Sequence, residues 1–140
     1  MGKVILIVED DPGSRELIRD LLQKIGHRTL EATNGTQGVE LAKAHKPDLI
    51  LMDLQLPVMN GIDATAILKA NLETQSIPVI ALTAYAMSGD EERGLQVGCD
   101  AYITKPIRVR DFLKQVAAHL SKKKKHTKFS TRQAVEIGGP

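Results

Sequence analysis

Short apolar runs and apolar helical stripes alternate along the first 120 residues of the chain. The run Val4–Val8 is continuous and rich in β-branched residues, which is typical of a strand buried on both faces. Further strands are predicted at residues 28–32, 49–52, 78–82 and 101–104. Between the strands, apolar residues recur at helical spacing. This spacing predicts helices at about residues 13–25, 36–44, 63–71, 88–97 and 109–120.

The order of these elements is strand, helix, strand, helix, repeated five times. Strands joined by helices imply a parallel sheet, because consecutive parallel strands need a crossover connection. Right-handed crossovers place helices on both faces of the sheet. The sequence therefore predicts an α/β fold with three layers, αβα.

Two local patterns give expectations about burial. In the first predicted helix one apolar stripe joins five residues: Leu17, Ile18, Leu21, Leu22 and Ile25. The chain has a single cysteine, Cys99, so no internal disulfide can form. A lone cysteine is usually a small buried apolar residue, and we expect Cys99 to be buried.

Charge divides the chain into two parts. Residues 1–120 hold 13 basic and 16 acidic side chains, whereas residues 121–140 hold 6 basic side chains and 1 acidic one. The run Lys122 to Lys125 has no apolar periodicity, and the chain ends in Gly-Gly-Pro. We therefore expect one domain over residues 1–121 and a basic tail over residues 122–140 that is linker, disordered or derived from cloning. The N-terminal apolar run is too short for a signal peptide or a membrane span, so we expect a soluble cytoplasmic protein.

Polar and charged residues follow four of the predicted strands, at the point where each strand ends. Open parallel sheets bind their ligands at the carboxyl ends of the strands. We therefore expect a site at this edge of the sheet, built from Glu9, Asp10 and Asp11 after the first strand, Asp53 after the third, Thr83 after the fourth and Lys105 after the fifth.

These residue types suit phosphoryl transfer assisted by a divalent cation. Mg²⁺ prefers oxygen ligands and usually takes one or two protein carboxylates, which fits Asp10 and Asp53 with Glu9 nearby. A carboxylate can also attack phosphorus and form an acyl phosphate. Lys105 and Thr83 would then reach the phosphoryl oxygens that carry charge. Each residue alone is more commonly a turn, cap or strand-exit residue, but their occurrence at four separate strand ends indicates a site.

Four segments of the chain resemble the receiver domain of two-component response regulators. The resemblance covers about residues 3–120 in family order and implies a flavodoxin-like sheet with strand order 2-1-3-4-5. The four segments are Val8-Glu9-Asp10-Asp11-Pro12, the stretch from Met52 through Asp53 to Gly61, Leu82-Thr83-Ala84, and Ile103-Thr104-Lys105-Pro106.

The resemblance implies a role for each matched residue. Asp53 would accept the phosphoryl group. Mg²⁺ or Mn²⁺ would be held by Asp10, by Asp53, by the backbone carbonyl of Gln55 and, through water, by Glu9. Thr83 and Lys105 would bind phosphoryl oxygens, Tyr102 would be the aromatic switch residue, and the bond before Pro106 would be cis.

Two features depart from, or vary within, the family pattern. Glu9 stands where many members have aspartate, and its extra methylene should shift the metal geometry slightly. Gln55 and Tyr85 occupy positions that tune the loss of the phosphoryl group in this family.

The function implied is that of a switch rather than an enzyme. A sensor histidine kinase or a histidine phosphotransfer protein would donate the phosphoryl group to Asp53. The face formed by the fourth helix, the fifth strand and the fifth helix would then change for a protein partner. No output domain follows the last predicted helix, so we expect a stand-alone receiver, with a fragment of a larger regulator or hybrid kinase as the alternative.

Three other functions fit less well. A hydrolase with an aspartyl-phosphate intermediate would carry its nucleophile motif after the first strand and a cap insertion. A flavin carrier would need a phosphate-cradling loop where Glu9, Asp10 and Asp11 stand. Nucleic-acid binding would be limited to weak, salt-sensitive attraction by the run Lys122 to Lys125.

Overall fold

The computed structural model describes residues 2–84 and 90–129 of the chain. Five strands alternate with five helices in these residues. The strands are β1 (Val4–Val8), β2 (Arg28–Ala32), β3 (Leu49–Asp53), β4 (Val79–Thr83) and β5 (Ala101–Thr104). The helices are α1 (Pro12–Lys24), α2 (Gly35–His45), α3 (Gly61–Ala70), α4 (Asp90–Val97) and α5 (Val109–Phe129).

The strands form one parallel sheet in the order β2-β1-β3-β4-β5. The register aligns the carboxyl ends of neighbouring strands, since Val8 pairs with Met52, Asp53 with Leu82, and Thr83 with Thr104. Both the predicted three-layer fold and the strand order implied by the resemblance are confirmed. The strand order reverses at β1 and β3, so the ends of these two strands flank the crevice in which open α/β sheets bind ligands.

The sheet has an apolar cluster on each face, because successive strand residues point to opposite sides. Ile5 and Ile7 pack with Phe112 of α5 and with residues of α1. Leu6 and Val8 pack on the other face with residues of α2 and α3, and that cluster also contains Cys99. Cys99 is buried, as expected, and burial is the main cause that raises the pKa of its thiol.

The side chains of the predicted α1 stripe are only partly buried. Ile18 and Leu22 are fully buried, but Leu17 is 46% exposed and Ile25 is 49% exposed. Leu17 lies at the margin of the stripe, and Ile25 lies beyond the last helical residue as the C-cap. The stripe packs on the sheet through Ile18 and Leu22, with Leu21 partly buried beside them.

The last helix is longer than the apolar pattern indicated. The stripe ends at Leu120, but the α5 backbone remains helical to Phe129. The first residues of the predicted basic tail, 122–129, thus belong to this helix. Lysine is a good helix former, so a run of lysines can prolong a helix that the domain has already nucleated. Residues 130–140 lie outside the described part of the chain.

Side-chain caps fix where the helices nearest the site begin. Asp11 caps α1 by accepting a hydrogen bond from Ser14 N at 2.8 Å, and Asn60 caps α3 by accepting one from Asp63 N at 2.9 Å. Both caps follow directly on loops at the carboxyl ends of strands.

Within the described residues, no helix has the length and apolar character needed to span a membrane.

Candidate functional site

Acidic side chains from two strand ends converge at the switch point of the sheet. Glu9 directly follows β1, and Asp53 is the last residue of β3. One carboxylate oxygen from each of Glu9, Asp10 and Asp53 lies within 4.8 Å of the others. Glu9 and Asp53 are buried and Asp10 is exposed, so the cluster opens to solvent on the Asp10 side.

Lys105 bonds to two of the three carboxylates. Its Nζ lies 2.7 Å from Oε1 of Glu9 and 3.0 Å from Oδ2 of Asp53. Lys105 follows β5, and the peptide bond between Lys105 and Pro106 is cis, as the resemblance implied. One ammonium therefore links the ends of β1, β3 and β5.

Backbone amides orient the remaining carboxylate oxygens. The amide of Asp11 donates to Oε2 of Glu9 at 3.1 Å, and the amide of Gln55 donates to Oδ1 of Asp53 at 2.9 Å. Glu9 and Asp53 thus each accept one bond from a loop amide and one from Lys105. Both carboxylates are held in fixed positions by groups on separate elements.

The environment changes the proton affinity of Glu9 and Lys105. Burial, followed by contact with the carboxyl group of Asp53, raises the pKa of Glu9 to about 7. Burial alone would lower the pKa of Lys105, but the bonds to Glu9 and Asp53 outweigh it and raise that pKa above its ordinary value. The ammonium stays charged, whereas the two buried carboxylates compete for one positive partner.

The first turn of α3 lies against the backbone of Asp53. The amide of Gly61 donates to the carbonyl of Leu54 at 3.1 Å. A Cβ atom at position 61 would lie 2.1 Å from the carbonyl oxygen of Asp53. Only glycine fits here without displacing the chain around Asp53.

Thr83 and Tyr102 lie on the strands beyond Asp53. Thr83 ends β4, is fully buried, and its carbonyl accepts a bond from the amide of Lys105 at 2.7 Å. Tyr102 on β5 is 40% exposed and lines a cavity of about 350 Å³ together with residues of α5. Of the residues singled out in the sequence, Gln55 is exposed and joins the site through its amide, and Tyr85 lies outside the described residues.

One residue that touches this loop was not singled out in the sequence. Arg15 on α1 donates from Nη1 to the carbonyl oxygen of Glu9 at 2.9 Å and contacts the carbonyl oxygen of Asp10 at 3.5 Å. The sequence shows that Arg15 lies four residues after the cap residue Asp11 and that the predicted strand β2 contains an acidic residue. These two facts point to Arg15 only once β1 and β2 are known to be neighbours.

The chemistry of the donor set fits a hard divalent cation. All the side-chain ligands available are carboxylate oxygens, and Lys105 supplies one positive charge against three carboxylates. Such a cluster has an excess of negative charge that a cation such as Mg²⁺ would neutralise.

Comparison with known proteins identifies the class to which this fold and site belong. The profile of the response regulator receiver domain matches residues 5–117. The chain belongs to this family and is a receiver domain of two-component signalling.

Among its relatives are the polar-differentiation response regulators DivK of Brucella anthropi and Brucella ovis. Each is 48% identical to this chain over 120 residues, which cover 86% of this chain and 98% of the relative.

Solved structures of receiver domains have the same fold. The receiver domain of the sensor histidine kinase PA1611 from Pseudomonas aeruginosa PAO1 superposes with a TM-score of 0.82 at 36% identity, over 86% of this chain and 99% of that one. It is described with a magnesium ion coordinated in the active site cleft. The receiver domain of a signal transduction histidine kinase from Syntrophus aciditrophicus has a TM-score of 0.81 at 35% identity, over 86% of this chain and 92% of that one.

Proposed function

We propose that this receiver accepts a phosphoryl group on Asp53 from a phosphohistidine and thereby switches a surface that a protein partner reads. The observation that carries the proposal is the convergence of Glu9, Asp10, Asp53 and Lys105 at one strand edge. Asp53 is the member of the cluster at the end of the central strand β3, and its two oxygens are held by Lys105 and by the amide of Gln55.

The transfer exchanges one phosphorus bond for another. The donor is a phosphohistidine whose other ring nitrogen carries a proton. Its P–N bond breaks, a carboxylate oxygen of Asp53 forms the new P–O bond, and the donor histidine leaves as neutral imidazole. An oxygen of the Asp53 carboxylate is the nucleophile. Lys105 lies 3.0 Å from this carboxylate, so its ammonium is within reach of an oxygen of the incoming group.

Asp10, Asp53 and Glu9 would hold a divalent cation, Mg²⁺ or Mn²⁺. Asp10 and Asp53 would be direct ligands, Glu9 would act through water, and the backbone carbonyl of Gln55 would complete the protein ligands. When bound, the cation neutralises charge on the carboxylates and on the transferred group. The magnesium ion described in the related PA1611 receiver supports this assignment.

Thr83 and Tyr102 would connect the phosphoryl group to the partner surface. Thr83 ends the strand next to Asp53, and its hydroxyl would bind a phosphoryl oxygen. Tyr102 is half exposed beside the cavity of β5 and α5, and it would pack inward when Thr83 moves. The face of α4, β5 and α5 would then present a different surface.

The phosphoryl donor would be a sensor histidine kinase or a histidine phosphotransfer protein, and the output would be contact with another protein. The match to 98% of the length of DivK relatives supports a stand-alone role. The chain would promote its own phosphorylation and dephosphorylation without turning over a separate substrate.

The proposal is tested with a small phosphodonor. The protein is incubated with acetyl phosphate and Mg²⁺, and its intact mass is measured. We expect one phosphoryl adduct, because the proposal assigns one acceptor, Asp53. The adduct should disappear in Asp53→Asn and when a chelator removes the divalent cation.

Asp20→Asn is the matched control, because Asp20 is an exposed aspartate on α1 away from the cluster. It should form the adduct as the wild type does. An adduct that persists in Asp53→Asn would disprove the assignment of Asp53, and release of free phosphate from many donor molecules at a rapid rate would favour a hydrolase.

A further inference from the structure

The side chain of Arg15 turns back from α1 over the loop that joins β1 to α1. Its Nη1 donates to the carbonyl of Glu9 at 2.9 Å and lies 3.5 Å from the carbonyl of Asp10. The amide of Glu9 donates to the carbonyl of Ala32 at 3.0 Å. The backbone of Glu9 is therefore bonded on one side to β2 and on the other to Arg15.

Glu31 on β2 holds Arg15 in this position. Nε of Arg15 donates to Oε1 of Glu31 at 3.1 Å, while Nη1 reaches the loop. The planar guanidinium therefore bridges β2 and the loop with two different donors. Arg19, one helical turn further along α1, also pairs with Glu31, at 3.8 Å, and has no bond to the loop among the contacts of the described residues.

We propose that Arg15, held by Glu31, is a positioning residue that sets the Glu9–Asp10 backbone for divalent-cation binding. The inference rests on the proposed metal site, and it adds a residue of this chain to it. The two carbonyls that Arg15 contacts belong to the residues whose side chains form the acidic cluster. Because Arg15 holds these two peptide units in place, it sets the direction in which the side chains of Glu9 and Asp10 extend from the loop.

Positioning and simple charge predict opposite effects of removing Arg15. A cation close to a metal site repels Mg²⁺, so loss of its charge alone would tighten Mg²⁺ binding. Loss of a group that orients the ligand loop would weaken binding, and outer-shell partners of metal ligands are typically worth about tenfold or more in affinity. The sign of the change therefore separates the two roles.

The experiment measures the affinity of metal-free protein for Mg²⁺ by following backbone amide shifts in NMR. For Arg15→Met we expect affinity to fall by about tenfold, and the Asp11 amide, which bonds to Glu9, to shift in the metal-free protein. Arg19→Met is the matched control, since it removes the same charge from the same glutamate without touching the loop. It should bind Mg²⁺ at least as tightly as the wild type.

Circular dichroism establishes that each variant is folded. Arg15→Lys serves as a second variant, because it keeps the charge but loses the planar group, and its affinity should fall between those of the wild type and Arg15→Met. Wild-type or tighter Mg²⁺ binding by folded Arg15→Met would overturn the inference, as would equal weakening in Arg19→Met. If Arg15→Met does not fold, wild-type affinity in Arg15→Lys would overturn it. Absence of Mg²⁺ binding by the wild type would instead defeat the proposed metal site, and this inference with it.

Discussion

At the scale of single residues, Lys105 is shared between the buried carboxylates of Glu9 and Asp53. Its bond to Oδ2 of Asp53 occupies one oxygen of the proposed nucleophile, and the amide of Gln55 occupies the other. In the proposed transfer, Lys105 would exchange its bond to Asp53 for one to an oxygen of the incoming group. The same ammonium would then stabilise both the resting cluster and the product.

The buried carboxyl of Glu9 makes the stability of the metal-free protein depend on pH. The pKa of a glutamate in an unfolded chain is about 4.3, and that of Glu9 is raised to about 7 in the folded protein. The folded state thus binds the proton more tightly. The contribution of Glu9 to stability is complete below about pH 4.3 and is lost as the pH rises toward 7.

We expect Glu9→Gln to remove this dependence. Between pH 5 and 8 in the presence of a chelator, the free energy of unfolding of the variant should rise relative to the wild type by about 1–2 kcal/mol, allowing for solvent screening. Urea unfolding at several pH values measures the difference, with Glu16→Gln on the exposed side of α1 as the control. A difference that is constant across this range would contradict the assignment of a raised pKa to Glu9.

Of the residues that the sequence placed at this edge, Glu9, Asp10, Asp53 and Lys105 converge, but the sequence did not predict the state of each acidic residue. Glu9, Asp10 and Asp11 are consecutive acidic residues, yet Glu9 is buried, Asp10 is exposed and Asp11 caps α1. Which of the three side chains is buried depends on the direction in which the chain leaves β1. The position of Arg15 over the loop depends on β2, which is distant in sequence, so no local pattern could reveal it.

At the scale of elements, the close approach of α3 to β3 fixes the backbone of Asp53. Asn60 caps α3, and Gly61 then places the first turn of the helix against the Asp53 carbonyl. The sequence predicted that this helix begins at about residue 63, whereas it begins at Gly61. The apolar pattern does not include the capped first turn. The cap and the glycine together bring the helix closer to the site than its hydrophobic stripe indicated.

Gly61→Ala should therefore affect both folding and phosphorylation. Its Cβ would lie 2.1 Å from the Asp53 carbonyl, so the backbone must shift, at a cost of about 1–3 kcal/mol. We expect a lower midpoint of urea unfolding and slower formation of the acetyl phosphate adduct.

Gly13→Ala is the control for this change, because a Cβ on that α1 residue would meet only the Asp11 side chain at 3.5 Å, an ordinary contact. It should not lower the unfolding midpoint, since alanine is a better helix former than glycine, and it should leave the rate of adduct formation close to that of the wild type. A Gly61→Ala variant with the stability and phosphorylation rate of the wild type would show that the helix is not in tight contact with Asp53.

At the scale of the whole molecule, the sheet order is what brings the site together. The alternation of strands and helices predicted a parallel sheet, but the order 2-1-3-4-5 came from the resemblance, since a local pattern does not say which strands are neighbours. In this order β1 and β3 are neighbours. The chain continues from β1 to β2 on one side of this pair and from β3 to β4 on the other side. Glu9 and Asp53 are therefore placed side by side although they are far apart in sequence.

The C-terminal end of the molecule was least predictable from the sequence. The apolar stripe marked α5 up to Leu120, and the helical backbone continues to Phe129. Beyond Leu120 the chain has no apolar periodicity, so the sequence does not indicate where the helix ends. Lysine is a good helix former, so the lysine run is compatible with this extension.

The measurement that tests the central claim most directly locates the phosphoryl group on the chain. Protein treated with acetyl phosphate and Mg²⁺ is reduced with borohydride, which converts an aspartyl phosphate to homoserine, and its peptides are then sequenced by mass spectrometry. We predict homoserine at position 53 only, because Asp53 is the carboxylate fixed at the end of β3 beside Lys105. Homoserine at position 10 or 11 with aspartate intact at position 53 would contradict the account.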